Sequence, residues 1–454
     1  MPEVMGFELT KEYLERFGQA LDARDDSFVT QSLRGVKAAD ITTLLFEFSA
    51  EESKYVFGLL DPETDADILI ELDEDIRKEF MGGFTAAELA RYVDEMESDD
   101  AADVLRDLPL KKREEVIGML TNEEKEGYIL DLLRYDEDVA GGLMAKEYIK
   151  VDINWSVSQC IEEIRKQAEK VEKIYSLYVV DEQDRLMGRV SLKKIILSQN
   201  KMKIADIYDS DLISVETYAQ EKEVADIMQK YDLESIPVVN TRGKLVGRIT
   251  VDDVLDVITE MAEEERQIMS GISADVEEDD NVWRLSKARL PWLIIGMVGG
   301  LVAAQITDLF SGDIRVIAGL ALFIPLIMAT GGNVGIQSSS IVVQSLANKH
   351  AFSGSLANRL IKVLFVAIVN GVILSVMVFG AVMLIFKDQN MALTVSAALF
   401  CVVLLASFTG TITPIVLDRF GINPALASGP FITTANDLLG LAVYFSIAHL
   451  LYTL

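Results

Sequence analysis

The sequence predicts a multidomain protein: an α-superhelical N-terminal domain, an α/β tandem module, a long connecting helix and an all-α polytopic membrane domain with five transmembrane helices. Three observations predict it. Apolar pairs recur every twelve residues over 40–133, one segment repeats at an offset of 59, and five long apolar runs follow Lys287. These features divide the chain at 1–135, 136–257, 258–285 and 286–454. A length of 454 residues also fits two to four domains rather than one.

Charge follows the same division. The chain carries 72 acidic and 42 basic side chains, a formal net charge of −30. From Pro291 onward there are five acids and six bases, so residues 1–290 carry −31 and the remainder +1. Such an excess of acid excludes a nucleic-acid partner, because phosphate recognition needs a basic face. An almost neutral, apolar C-terminal part excludes an ordinary soluble enzyme. Cys160 and Cys401 are too few to suggest a disulfide, and with only His350 and His449 a histidine-based metal site is improbable.

In the N-terminal part, positions 44, 56, 68, 80, 92, 104, 116 and 128 are Leu, Val, Ile, Phe, Tyr, Val, Val and Tyr. The adjoining column, 45 to 129, is Leu, Phe, Leu, Met, Val, Leu, Ile and Ile. A fixed apolar period indicates stacked short units, here helices wound into a superhelix. Ser49 with Glu52, Thr85 with Glu88 and Thr121 with Glu124 read as capping boxes, and Asp61-Pro62 as a cap with proline in the first turn. Glu97, Asp99, Asp100 and Asp103 form an acidic cluster. Asp99 and Asp103 are four apart on one helix face and repel each other unless a cation intervenes. A solvated helix N-terminus explains the same acids without an ion.

Residues 176–198 align with 235–257 at the constant offset of 59, with six identities. Each copy reads as strand, turn, strand around Gly-Arg, then helix, with an amphipathic helix before it. The pair resembles tandem CBS domains, a regulatory module that binds adenosine nucleotides or senses ions. Thr250-Val-Asp-Asp253 resembles that family's ribose contact, which implies ATP as a cofactor at this copy. The first copy has Ser191-Leu-Lys-Lys194 and lacks the acid. A purely structural pair is the competing reading.

Past Thr250 a helical pattern runs toward the first apolar segment. Asp252, Asp256, Glu260, Glu263 and Glu264 make an acidic stripe, with Asp253 beside it and few bases to pair with. Carboxylates without His or Cys suit hard cations such as Mg²⁺ or Ca²⁺.

The apolar runs are 291–310, 315–346, 361–386, 391–417 and 424–453. The first 20 residues lack the basic-then-apolar pattern of a signal peptide, so the acidic part is expected in the cytoplasm and, after five spans, the C-terminus outside. Positive-inside counting agrees: Arg284, Lys287, Arg289, Lys349, Arg359 and Lys362 fall on the inner side, while Asp308, Asp313 and Asp388 outnumber Arg315 and Lys387 on the outer.

The sharpest signals are inside the spans. Span two contains Pro325, then Thr330, Gly331, Gly332, Asn333, Gly335 and Gln337; span five contains Asn423, Pro424, Gly429, Pro430, Thr433 and Asp437. Asp437 lies 13 residues past Pro424 and 17 before the C-terminus. At about 1.5 Å per residue these are roughly 20 and 25 Å, which puts the carboxylate near mid-bilayer. A carboxylate there is costly unless it faces water, a partner or an ion.

This arrangement, from about residue 30 to the end, resembles the MgtE family of Mg²⁺ channels. The Gly331-Gly332-Asn333-x-Gly335-x-Gln337 and Pro424-Ala…Pro430…Asp437 runs carry the resemblance. It implies a homodimer in the plasma membrane with a pore on its two-fold axis, lined by spans two and five. Asp437 then matches the acid that holds hydrated Mg²⁺. Asp99 and Asp103 match ligands in the helical domain, and Asp252, Asp253, Asp256 and Glu264, with Glu260 on the same stripe, match acids of a plug helix. Asn423 departs from the pattern, because the family usually has Asp before Pro-Ala. The expected function is Mg²⁺ uptake shut by internal Mg²⁺. Uptake of Mn²⁺, Co²⁺ or Ca²⁺ and a CBS-regulated solute transporter are the alternatives. An aspartyl intramembrane protease lacks its second acid.

Overall fold

The computed structural model describes residues 9–168, 171, 173–273, 276, 280–310, 318–347, 356–427 and 429–453. Asp313, Arg315, Lys349 and His350 therefore lie outside the described residues. The chain divides into two compact units, Met1–Ile258 and Thr259–Leu454.

In the first unit, α1 (Lys11–Asp22) and α2 (Asp26–Leu33) precede a run of short helices: α3 (Ala38–Leu45), α4 (Ala50–Phe57), α5 (Pro62–Ile70), α6 (Glu74–Gly82), α7 (Ala86–Val93), α8 (Ser98–Arg106), α9 (Leu110–Ile117) and α10 (Glu123–Leu132). Helix starts recur on the twelve-residue beat. Every residue of the column Leu45, Phe57, Leu69, Met81, Val93, Leu105, Ile117, Ile129 is buried. Helices pack on their next-but-one neighbours, α3 on α5, α5 on α7, α7 on α9 and α8 on α10, which winds them into a superhelix. Ser49–Glu52 and Thr85–Glu88 form reciprocal capping boxes, and Asp61 caps a helix that begins with Pro62. The third expected box is different. Thr121 gives its N–H and hydroxyl to Asp94, and Asn122 caps α10 by accepting from the Glu124 and Lys125 amides. An amide oxygen one residue later reaches the same orphan donors, so the hydroxyl is released for a tertiary bond.

A short turn of helix, α11 (Ala140–Leu143), leads into the repeat. Its two copies build matching sheets: β1 (Ile149–Asp152), β2 (Leu177–Val180) and β3 (Leu186–Val190), then β4 (Val215–Glu216), β5 (Ser235–Val239) and β6 (Leu245–Thr250). In each, the first pair is parallel and the second antiparallel. The register slips between Val179 and Val180 and again between Val238 and Val239, 59 residues on. Helices α12 (Val157–Gln167), α13 (Leu192–Leu197) and α14 (Glu221–Tyr231) complete the two copies.

The acidic helix, α15 (Val251–Met269), begins directly at the end of β6 and stops well short of the first span. Gly271, at φ +82°, ends it; the Ile272 amide reaches back to the Gln267 carbonyl in a Schellman closure.

In the second unit five helices are long and apolar enough to cross a membrane. Span one is Val282–Leu309, span two Ile324–Ala347 after a 3-10 turn at Ala318–Phe323, span three Leu356–Ile385, span four Gln389–Arg419 and span five Pro430–Thr453 after a 3-10 turn at Pro424–Ala427. Span one starts nine residues earlier than its apolar run, because Asn281 caps it through the Arg284 amide and Pro291 is carried inside the helix. Span four is the hub, packing against spans two, three and five, while span one lies against span five. Spans one and three turn Leu293, Met297, Leu301, Phe365, Val369 and Val376 outward, as hydrocarbon contact requires.

Candidate functional site

Two clusters of polar side chains stand out, one in each unit.

The first forms where α8 meets β6 and the start of α15. Ser98 at the head of α8 is fully buried, donates its amide and hydroxyl to Glu147, and accepts the Lys146 amide. Arg248, on β6 and 3% exposed, donates Nε to the Glu147 carbonyl at 2.6 Å and Nη2 to Glu97 at 3.0 Å. Its Nη1 has no hydrogen-bond partner. Asp253 accepts the amide and hydroxyl of Thr250, each at 2.8 Å, capping α15.

The carboxyls gathered here resist ionisation. Burial, then the charges of Asp100 and Asp253, raise Asp99 well above the ordinary carboxylate range. Burial, then Asp253 and Asp103, push Asp100 up to about 8. Asp253 rises to about 6, burial outweighing its bonds to Thr250 and the pull of Arg248. Burial and Asp252 raise Asp256 as well.

Of the acids singled out in the sequence, Glu97, Asp99, Asp100 and Asp253 are brought together. Asp103 turns to Arg106 at 2.7 Å, with its side chain 48% exposed. Asp252, Asp256, Glu260 and Glu264 lie on exposed turns of α15. Among the described residues no three His, Cys, Asp or Glu side chains are arranged as a metal cage. Sequence reading placed Glu97 in the acidic cluster but missed Glu147 and Arg248 as members of the site. Arg248 is 151 residues from Glu97, and only its repeated Gly-Arg context marked it.

The second cluster is in the membrane unit. Gly331, Gly332 and Gly335 are buried between helices, whereas Asn333 and Gln337, one turn apart, are exposed with Ala329 and Ile341 on one face of span two. The expected lining of span two thus splits into a packing edge and an open polar face. A methyl on Gly332 would lie 3.1 Å from Thr433 Cγ2 and 3.6 Å from Asp437 Oδ1. Gly332 therefore lets span two approach the face of span five that carries Asp437, itself only partly buried, while Gly331 sits against Val402 of span four. No lysine or arginine occurs on span five.

Span five is anchored at its start. Asn423 accepts the Ala425 amide at 2.9 Å, so it caps the Pro424–Ala427 turn much as an aspartate would. Ser339 of span two donates to the Ala427 carbonyl at 3.0 Å. Thr433 donates to the Gly429 carbonyl at 2.9 Å. Gly429, at φ +62°, packs so closely that an added methyl would strike the Met269 carbonyl, and one on Gly271 would sit 2.5 Å from Pro430 Cγ. The end of α15 is thereby seated on the first turn of span five, a contact that needs glycine on both sides.

Known proteins resemble the chain along nearly all of it. Residues 324–447 match the MgtE divalent cation transporter family, 36–138 the MgtE intracellular N domain, and 138–200 and 204–260 CBS domains. The magnesium transporter MgtE of Thermus thermophilus is 31% identical over 443 residues, covering 95% of this chain and 97% of that one. Its counterpart in Bacillus subtilis is 29% identical, covering 92% and 95%. Among solved structures, the cytosolic domain of the Mg²⁺ channel MgtE in complex with ATP is 32% identical, with a TM-score of 0.51 over 54% of this chain and 99% of that one. The soluble part of a magnesium transporter is 26% identical, with a TM-score of 0.50 over 56% and 99%.

Proposed function

The chain belongs to the MgtE family, and from that premise we propose that it is a Mg²⁺ channel, not an enzyme, that takes up magnesium and is shut by magnesium inside the cell. The observation that carries the pore assignment is Asp437: a carboxylate in a span without lysine or arginine, on the face that meets the glycine edge of span two.

Charge arithmetic supports a homodimer. One carboxylate neutralises half of a divalent ion, so two copies of Asp437 facing across a two-fold axis match Mg²⁺. Mg²⁺ sheds its waters reluctantly, and such a pore would hold it through them. Asn333 and Gln337 on span two, with Thr433 on span five, would offer oxygens to those waters, and pore width would set the rest of the selectivity. Exposed apolar side chains on α13 (Leu192, Ile196, Leu197) and at the equivalent positions of the second repeat (Val251, Leu255) supply a surface for the second copy. With the acidic part in the cytoplasm and the C-terminus outside, the membrane potential draws the ion inward, by about 4.6 kcal/mol per 100 mV for two charges.

Closure is a linkage effect. Mg²⁺ bound by Asp99 and Asp103 in the helical domain, by Asp253 in the CBS pair and by Asp252, Asp256, Glu260 and Glu264 along α15 would favour the compact arrangement. When Mg²⁺ falls, the carboxylates repel and the compact arrangement loosens. The seat of Met269 and Gly271 on span five gives that change a mechanical route to the pore. ATP at the CBS pair, with Thr250 and Asp253 as its ribose contacts, has support from the ATP complex of the related cytosolic domain.

Flux into proteoliposomes tests the pore. Asp437→Ala is expected to abolish Mg²⁺ entry while the protein still purifies as a dimer; undiminished entry overturns the assignment.

A further inference from the structure

One residue before the pore acid, Asn436 is 2% exposed, at the crossing of spans two, four and five. Its Oδ1 accepts from the Thr409 hydroxyl of span four at 2.7 Å, and its Nδ2 has no hydrogen-bond partner. A methyl on Gly335 would fall on that nitrogen, and one on Gly410 would fall on the Gly335 carbonyl oxygen. The amide is therefore caged: span two presses on one side, and span four holds the other.

Packing alone does not account for such a residue. An amide in hydrocarbon whose nitrogen donates to nothing is destabilising relative to an apolar side chain of similar shape. Leucine would fill the space without that cost. What leucine lacks is direction. The bond to Thr409 and the notch at Gly335 together fix the rotation of span five about its own axis. Asp437 follows at about 100° round the helix, so its direction is set by the same lock.

We propose that Asn436 is a positioning residue for ion selection: with Thr409 and Gly335 it fixes the rotation of span five and so aims Asp437 at the permeating ion. This rests on the reading of Asp437 as the pore acid. A hydrated Mg²⁺ keeps a rigid octahedron of ligands and tolerates little misplacement of the carboxylate, whereas Ca²⁺ accepts variable geometry and sheds water readily. Loosening the lock therefore penalises Mg²⁺ more than Ca²⁺.

The test compares Mg²⁺ and Ca²⁺ flux in proteoliposomes for the full chain, Asn436→Leu, Thr409→Val and Thr409→Ser, with each variant first shown to elute as the same oligomer. Asn436→Leu and Thr409→Val are expected to lower the Mg²⁺:Ca²⁺ flux ratio by about tenfold, through weaker apparent affinity for Mg²⁺ more than lower maximal flux. Thr409→Ser, which keeps the hydroxyl, is expected to retain the ratio of the unaltered chain. A purely structural role would reduce both fluxes equally, so an unchanged ratio in Asn436→Leu and Thr409→Val overturns the proposal. If Asn436→Leu does not assemble, Thr409→Val alone decides. Asp437→Ala in parallel separates the two readings: if it still conducts Mg²⁺ the pore assignment fails, whereas if it is silent and the ratio is unmoved only the role of Asn436 fails.

Discussion

Asp99 is buried, and Asp100 and Asp253 partly buried, near Glu97, Glu147 and one guanidinium, that of Arg248. Asp437 has neutral neighbours instead: Asn436, Thr433 and Gly332. In the first cluster a fixed positive charge already holds the domains together, and further cation can add to the attraction in degrees. In the second no lysine or arginine lies beside the acid among the described residues, which leaves the permeating ion of the proposed pore as its counter-charge. Acids arranged around a resident base suit a sensor with a threshold. A lone acid among neutral groups suits a place where the ion binds and must leave again.

The largest expected effect attacks the neutral packing. Gly410→Val would set its Cβ 2.4 Å from the Gly335 carbonyl oxygen and add further bulk, and the yield of monodisperse protein should fall at least tenfold. Normal yield would mean that close approach of spans two and four is dispensable.

The next prediction attacks the resident charge. Arg248→Ala leaves Glu97 and the buried carboxyls uncompensated, at a cost of about 3–5 kcal/mol to docking of the helical domain on the CBS pair. Limited proteolysis in metal-free buffer should show α8 and α9 far more susceptible, with Arg248→Lys intermediate. Unchanged protection would mean that Arg248 is not what holds the two together.

A third prediction uses Asp65, a buried acid of α5 with an unpartnered Oδ1. Burial, then Asp61, push it up to about 8 against the pull of Arg91. Between about pH 4 and 8 the folded domain keeps a proton that the unfolded chain has released, so stability falls as pH rises, by at most about 1.4 kcal/mol per unit. Melting temperature should therefore drop from pH 5 to pH 8, and Asp65→Asn should flatten that slope. An equal slope in the variant would assign the effect to other groups.

The smallest effect is expected from Asn423→Asp. The cap on the Ala425 amide survives, and one carboxylate is added at the start of span five. The internal Mg²⁺ concentration for half closure should fall a few-fold; a rise would contradict an electrostatic role for this position.

Much of the fold was legible because it is periodic. The twelve-residue beat marked the buried column from Leu45 to Ile129, and the offset of 59 marked two copies that turn out to share even a register slip, at Val180 and Val239. The sites were legible only where one residue type is anomalous in its surroundings, as Asp437 is in a span. Arg248 meeting Glu97, and Asn436 meeting Thr409, pair residues distant in sequence, and no local pattern encodes such meetings. The glycines of span two were visible, but spacing alone did not separate those that pack from the polar positions that face outward. Asp103 looked equivalent to Asp99 on its helix face, yet Arg106, three residues on, engages it.

The central claim is that one ion serves both clusters, permeating at Asp437 and closing the channel at Asp99 and Asp253. Its most direct test is current through reconstituted channels against internal Mg²⁺, comparing the unaltered chain with the Asp99→Asn, Asp253→Asn double variant. The account predicts normal current at low Mg²⁺ in both and at least a tenfold higher Mg²⁺ requirement for closure in the variant. Closure at the same concentration in both would contradict it.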